Sequence, residues 1–204
     1  VSQEGFPVCA AAAIAGAVNA ITGQTAGADG AVALSDGIEA LVKSCDRRSP
    51  GGACARKQLL QPQPCSAGVG NALLLKGAEH LARSRKLPLV AHPAFLCLSR
   101  DAHIFVRRGD SPAAVDAQWR RLRRGLFDAG SALIYHLENH YALVFGVREW
   151  VRFDGTIQRD ILTATRTQRP TAWMSFVEVR QSVLRTQGHH RLMQLSLPRP
   201  TDCK

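Results

Sequence analysis

From Val8 to Ile21 the chain runs through alanine, glycine, valine and isoleucine, with Asn19 as its most polar residue and no charged side chain. Alanine-dense sequence of this kind predicts a helix over Cys9 to Thr22. A helix that is apolar all round has to be wrapped by other elements, so the fold must be built around it. The same stretch is too short for the roughly 20 apolar residues of a bilayer span. It also lacks the basic flank of a signal peptide. Its first residue, Cys9, would sit at a helix N-terminus, where unpaired N–H groups and the positive end of the helix dipole favour the thiolate. Cys9 is therefore the candidate nucleophile, and a nucleophile needs a base.

The remaining helices follow from period and caps. Ser35 to Ser44 is expected to be helical, with Ser35 or Asp36 as its cap. Ala67 to Ser84 carries Leu73, Leu74, Ala78, Leu81 and Ala82 at spacings of three and four. Between them, Arg47 to Gln63 is rich in Gly, Pro, Gln and Arg and reads as a flexible surface loop over about residues 46–64. Leu87 to Leu98 reads as holding a short strand at its end. Ser111-Pro112 opens a helix to Asp128, with proline at the favoured first position.

After residue 128 the period changes. Ser131 to His136, Tyr141 to Val147 and Thr156 to Thr163 are short runs rich in β-branched and aromatic residues, read as a meander of antiparallel strands. Phe153-Asp154-Gly155 supplies a hairpin turn between the last two. Ser175 to Arg185 reads as a closing helix and Arg191 to Leu197 as a further strand. The expectation is one α+β domain over residues 1–204, helices first and an antiparallel sheet after.

Composition narrows the setting. The 204 residues carry a formal charge of +10 and are 46% hydrophobic, which fits a globular chain attractive to acidic partners such as nucleic acid or acidic protein tails. The densest basic run, Arg120-Arg121-Leu122-Arg123-Arg124, lies on a helix pattern and reads as a solvated face; no nucleic-acid motif accompanies it. The six cysteines form no C-x-x-C pair and no zinc spacing, so a reducing, cytoplasmic setting with free thiols is expected, and no cofactor or metal is called for. Cys45, Cys54 and Cys65, around the loop, keep a disulfide or metal as the lesser alternative. His92, His103, His136, His189 and His190 read as structural or exposed. The non-Met first residue suggests a fragment or trimmed chain.

A cysteine opening a helix, followed far downstream by His140-Tyr141-Ala142-Leu143-Val144-Phe145 at a strand start, resembles the papain-like cysteine peptidases, the bacteriocin-processing relatives in particular. In that family a Gln six residues before the nucleophile donates to the oxyanion, and Gln3 stands six residues before Cys9. The Cys-Gly-Ser/Ala-Cys signature of papain itself is missing here. The resemblance implies a Cys9–His140 pair and a third group on the following strand. It points to Asp160, whereas counting across the hairpin points nearer Gln168; a carboxylate better stabilises an imidazolium, which puts Asp160 slightly ahead. Residues 131–185, through Arg148-Glu149-Trp150, Asp160-Ile161-Leu162-Thr163-Ala164 and Gln168 to Trp173, also resemble the basic immunoglobulin-like variable motif-containing protein family. That likeness implies an intracellular protein with a cysteine-peptidase-like core.

Two functional expectations result. One is a thiol hydrolase of the cytoplasm, a cysteine peptidase cleaving peptide or protein substrates. The other is a catalytically inactive protein on the same fold, cytoskeletal or nuclear, whose basic surface binds an acidic polymer such as tubulin tails or nucleic acid.

Overall fold

The computed structural model describes residues 8–25, 27–45, 52–66, 68–137, 140–164, 170–186 and 189–198. In chain order the elements are α1 (Cys9–Thr22), α2 (Leu34–Ser44), α3 (Gly52–Leu59), α4 (Asn71–Ser84), β1 (Val90–Cys97), β2 (Ile104–Phe105) and α5 (Pro112–Phe127). They are followed by β3 (Ser131–Leu137), β4 (His140–Leu143), β5 (Gly146–Val151), β6 (Ile157–Thr163), β7 (Ala172–Ser175), α6 (Phe176–Arg185) and β8 (Arg191–Ser196). The class is α+β, with sheets antiparallel except for the short β1–β2 pair.

The apolar helix α1 is enclosed, as its composition demands. Ala10, Ala11, Ile14, Ala15 and Ala17 have no exposure at all. Its neighbours are α2, α4 and one face of a five-stranded sheet ordered β2-β1-β8-β3-β4. Contact with α2 is backbone-close: a Cβ on Gly37 would lie 2.5 Å from the Ala11 carbonyl oxygen. The single polar residue buried in α1, Asn19, is satisfied by both backbone groups of Val32, its Oδ1 accepting at 2.7 Å and its Nδ2 donating at 3.0 Å. An amide buried without such partners would cost about 1–3 kcal/mol.

The five-stranded sheet is covered on both faces because its strands alternate apolar residues to either side. Ala132 and Ile134 of β3 and Met193 and Leu195 of β8 face α1; Leu133, Tyr135 and Leu192 face a second core. Trp119 of α5, Phe176 and Val179 of α6, and Ile161 fill that second core. Ile161 belongs to a separate sheet ordered β5-β6-β7. The molecule is thus three layers deep, and β8, the last described element, lies in the middle of the larger sheet.

Several expectations change. The single strand expected over Tyr141 to Val147 is divided. Val144 N–H still donates to Leu133 O in the first sheet (2.9 Å), while Phe145 N–H donates to Leu162 O in the second (2.8 Å), so the chain crosses between sheets there. The loop expected over Arg47 to Gln63 contains α3, whose buried Ala55 and Leu59, four apart, outweigh the Gly and Pro around them. The third helix starts at Asn71 rather than Ala67, after Gly70 in an extended conformation. Strand β7 was not foreseen. Ser111 caps α5 through Ala114 N–H, and Ser175 caps α6 through Val177 N–H. At α2 the cap position is held by Ala33 rather than Ser35 or Asp36, Asp36 instead accepting from Ala33 N–H. Gly155, at φ +79°, makes the β5–β6 turn. Cys9, Cys45, Cys54, Cys65 and Cys97 are free thiols.

Candidate active site

Cys9 opens α1, and the adjoining edge strand β4 begins with His140, so the helix–sheet packing brings the two side chains together. The imidazole of His140 hydrogen-bonds the thiol, and the Tyr141 backbone N–H donates to the same sulfur. Ser66 Oγ stands 3.7 Å from Cys9 Sγ and accepts from Ala10 N–H at 3.4 Å. Val8, at the N-cap position, offers no side-chain acceptor. Ser66 therefore caps the first turn from a segment 57 residues away while touching the Cys9 thiol.

Burial pushes the half-buried thiol up. Hydrogen bonds from His140, the Tyr141 backbone and Ser66, joined by the charge of His140, outweigh that and hold it below the ordinary cysteine value. The site therefore favours the nucleophilic form of the sulfur.

The imidazole is also engaged by backbone, with His140 Nε2 lying 3.3 Å from Ala164 O. A carbonyl can only accept, so this contact puts a proton on Nε2. An orienting group that is backbone has no residue signature, and sequence reading could not find it.

Asp160 is engaged elsewhere. Its carboxylate accepts from Arg148 Nε and Nη2 at 3.0 and 2.8 Å and from Gln158 Nε2 at 2.6 Å. The β5–β6 ladder sets it directly opposite Arg148, eight positions beyond His140. The expectation that placed Asp160 ahead as the group orienting His140 is therefore corrected; the residue anchors an ion pair in the smaller sheet. Gln3 and Gln168 lie outside the described residues.

Behind the strand, Tyr141 is buried and its hydroxyl reaches Val69 O (3.0 Å) and Asn71 Oδ1 (3.1 Å), tying β4 to the start of α4. His136 stacks on the Tyr141 ring at 4.2 Å, with His190 edge-on at 5.5 Å. Burial, followed by the positive charge of His190, lowers the pKa of His136 to about 4. Between the unfolded value near 6.5 and this one, the unfolded chain takes up a proton that the folded chain refuses. Stability should be fully present above pH of about 6.5 and fall as the pH drops towards 4. Thermal melting across that range checks this: His136→Phe keeps the stack, removes the titration and should flatten the slope, and an unchanged slope would assign the acid sensitivity to other groups.

No protein-family model matches the chain, and no curated protein or solved structure matches it significantly. The site stands on its own geometry. Among the described residues no cluster of three or more His, Cys, Asp or Glu could hold a metal ion, and no helix is long and apolar enough to cross a membrane. Ser66, Asn71 and the Tyr141 N–H were missing from the sequence reading. Serine and asparagine in a loop look alike whether they serve turns or sites, and only the fold sets them beside Cys9 and Tyr141.

Proposed function

We propose that the chain is a papain-like cysteine peptidase, a thiol hydrolase of amide bonds. The observation that carries this reading is the contact between a helix-opening thiol of lowered pKa and an imidazole whose Nε2 rests on a carbonyl. In the proposed cycle Cys9 Sγ attacks the scissile carbonyl carbon, forming a C–S bond and a tetrahedral oxyanion. The Cys9 backbone N–H, in the first helical turn, receives the oxyanion charge, and Gln3 would add a side-chain donor. Collapse breaks the C–N bond as the His140 imidazolium gives its proton to the departing amine. Water then adds to the thioester, losing a proton to His140, and the acid product leaves as Cys9 is restored. Gln168 is the remaining side-chain candidate for orienting His140, alongside the Ala164 carbonyl.

The net charge of +10 favours acidic peptides or protein tails as substrates. It equally suits an inactive protein on this fold that only binds such polymers. Exposed Arg120 and Arg124, one turn apart on α5, are the specific feature behind that second reading.

Alkylation by a limiting iodoacetamide tag near neutral pH separates the two. Cys54 is exposed and Cys9 is not, so accessibility alone would label Cys54 first. The peptidase reading expects Cys9 to react first, and its rate to drop in His140→Ala, which removes the hydrogen bond and charge that hold the thiol pKa down. Labelling of Cys9 no faster than Cys54, or indifferent to His140, would remove the basis for a nucleophile.

A further inference from the structure

The β5–β6 hairpin outruns its support. On the face turned towards α5, Ile161 is fully buried, and one pair further out Arg159 is clamped by Asp116 of α5 (2.6 Å) and Glu149 (2.6 Å). The next pair on that face, Val151 and Ile157, has no such cover: the two side chains are 68% and 55% exposed. On the opposite face Trp150 is 39% exposed beside Arg148, whose guanidinium sits 4.6 Å from its ring and 4.2 Å from that of Trp173. At the turn, Phe153 is wholly uncovered, at 111%. Four large apolar side chains therefore crown the tip of the hairpin.

Clustered exposed apolar residues mark an interaction surface. At the end of a hairpin, such side chains can act as a wedge entering a partner. The cations at hand are exposed Arg152, adjacent to Phe153, and half-exposed Arg148 beside Trp150 and Trp173, in a chain of net charge +10. We propose that the β5–β6 tip inserts into the interfacial layer of an anionic lipid bilayer, with Phe153, Val151 and Ile157 among the upper acyl chains and Trp150 and the arginines at headgroup depth. Aromatic and arginine side chains settle at that depth, and basic residues gain from anionic lipid. The acidic group at the tip sets the limit of insertion. The Asp154 carboxylate accepts from Thr156 N–H (2.9 Å) and Thr156 Oγ1 (2.6 Å), bonds that keep it ionised and hold the turn at headgroup level.

Co-sedimentation with vesicles tests this, using phosphatidylcholine alone and phosphatidylcholine with about 30% phosphatidylserine. The wild type should bind the anionic vesicles and leave the neutral ones largely alone. Phe153→Ser should weaken partitioning about tenfold or more, the effect of removing one buried aromatic side chain. Because Phe153 is uncovered, its loss should leave the circular dichroism spectrum and melting temperature unchanged, so reduced binding cannot be ascribed to misfolding. Equal sedimentation of wild type and Phe153→Ser, equal binding to both vesicle types, or no binding to anionic vesicles would each overturn the proposal. The last result combined with Phe153-dependent capture of a protein would reassign the tip to a partner carrying a complementary pocket. None of these readouts depends on Cys9.

Discussion

Cys9→Ser is expected to lower hydrolysis of a fluorogenic peptide pool by about a thousandfold or more while leaving the melting temperature nearly unchanged. The serine hydroxyl fits where the thiol sits, but a hydroxyl, far less acidic than a thiol, stays protonated there. The surrounding donors would stabilise a thiolate and find no anion to receive them. His140→Ala should remove a comparable share of activity. The double variant should be little worse than either single one, because nucleophile and base act as a unit. Steady-state kcat/KM on the three variants checks the set. Undiminished turnover in Cys9→Ser would mean that any hydrolysis arises elsewhere, and additive losses would mean that the pair does not work as one.

Gly37→Ala is expected to be the most damaging single-methyl change in the described fold. Its Cβ would meet the carbonyl oxygen of Ala11 at 2.5 Å, the carbonyl carbon at 3.1 Å and Cα at 3.3 Å, all backbone atoms of α1 that no rotamer change can move aside. Separating α1 from α2 opens gaps in a core where Ile14 and Leu41 have no exposure. We expect a loss of about 2–4 kcal/mol, and so a fall in melting temperature of about 5–15 °C. Because α1 carries Cys9 on its first turn, thiol alkylation should slow as well. Gly70→Ala is the matched control: nothing lies within 4 Å of its added methyl, and it should shift melting by about 2 °C at most. Similar melting of the two variants would show that α1 and α2 can part cheaply.

Where local chemistry decides structure, the residues announced it. Ser111-Pro112 began a helix, Asp154-Gly155 turned a hairpin, and the uncharged run after Cys9 became the enclosed helix. Where two distant segments compete for one place, they did not. Tyr141 to Val147 carries an unbroken strand signal, yet it is shared between two sheets because Leu133 and Leu162 both offer acceptors to it. Asp160 shows the same limit from the side of chemistry. A carboxylate on the strand after a histidine strand suits an imidazolium, but ladder register alone decides what it faces, and it faces Arg148. Cys9 and His140 were legible because a helix start and a strand start are local signals. Ser66 and the Ala164 carbonyl were not, one being an ordinary loop residue and the other carrying no side-chain message.

The position of β8 has a consequence for timing. Hydrogen-bonded to β1 on one side and β3 on the other, it is the strand through which β3 and β4 join the rest of their sheet. It is also the last element among the described residues. During synthesis Cys9 leaves the ribosome before Arg191 to Ser196 do, and the sheet that holds His140 against it cannot be completed until they have emerged. Up to that point the nascent chain lacks the His140 and Tyr141 contacts that lower the Cys9 pKa in the folded protein.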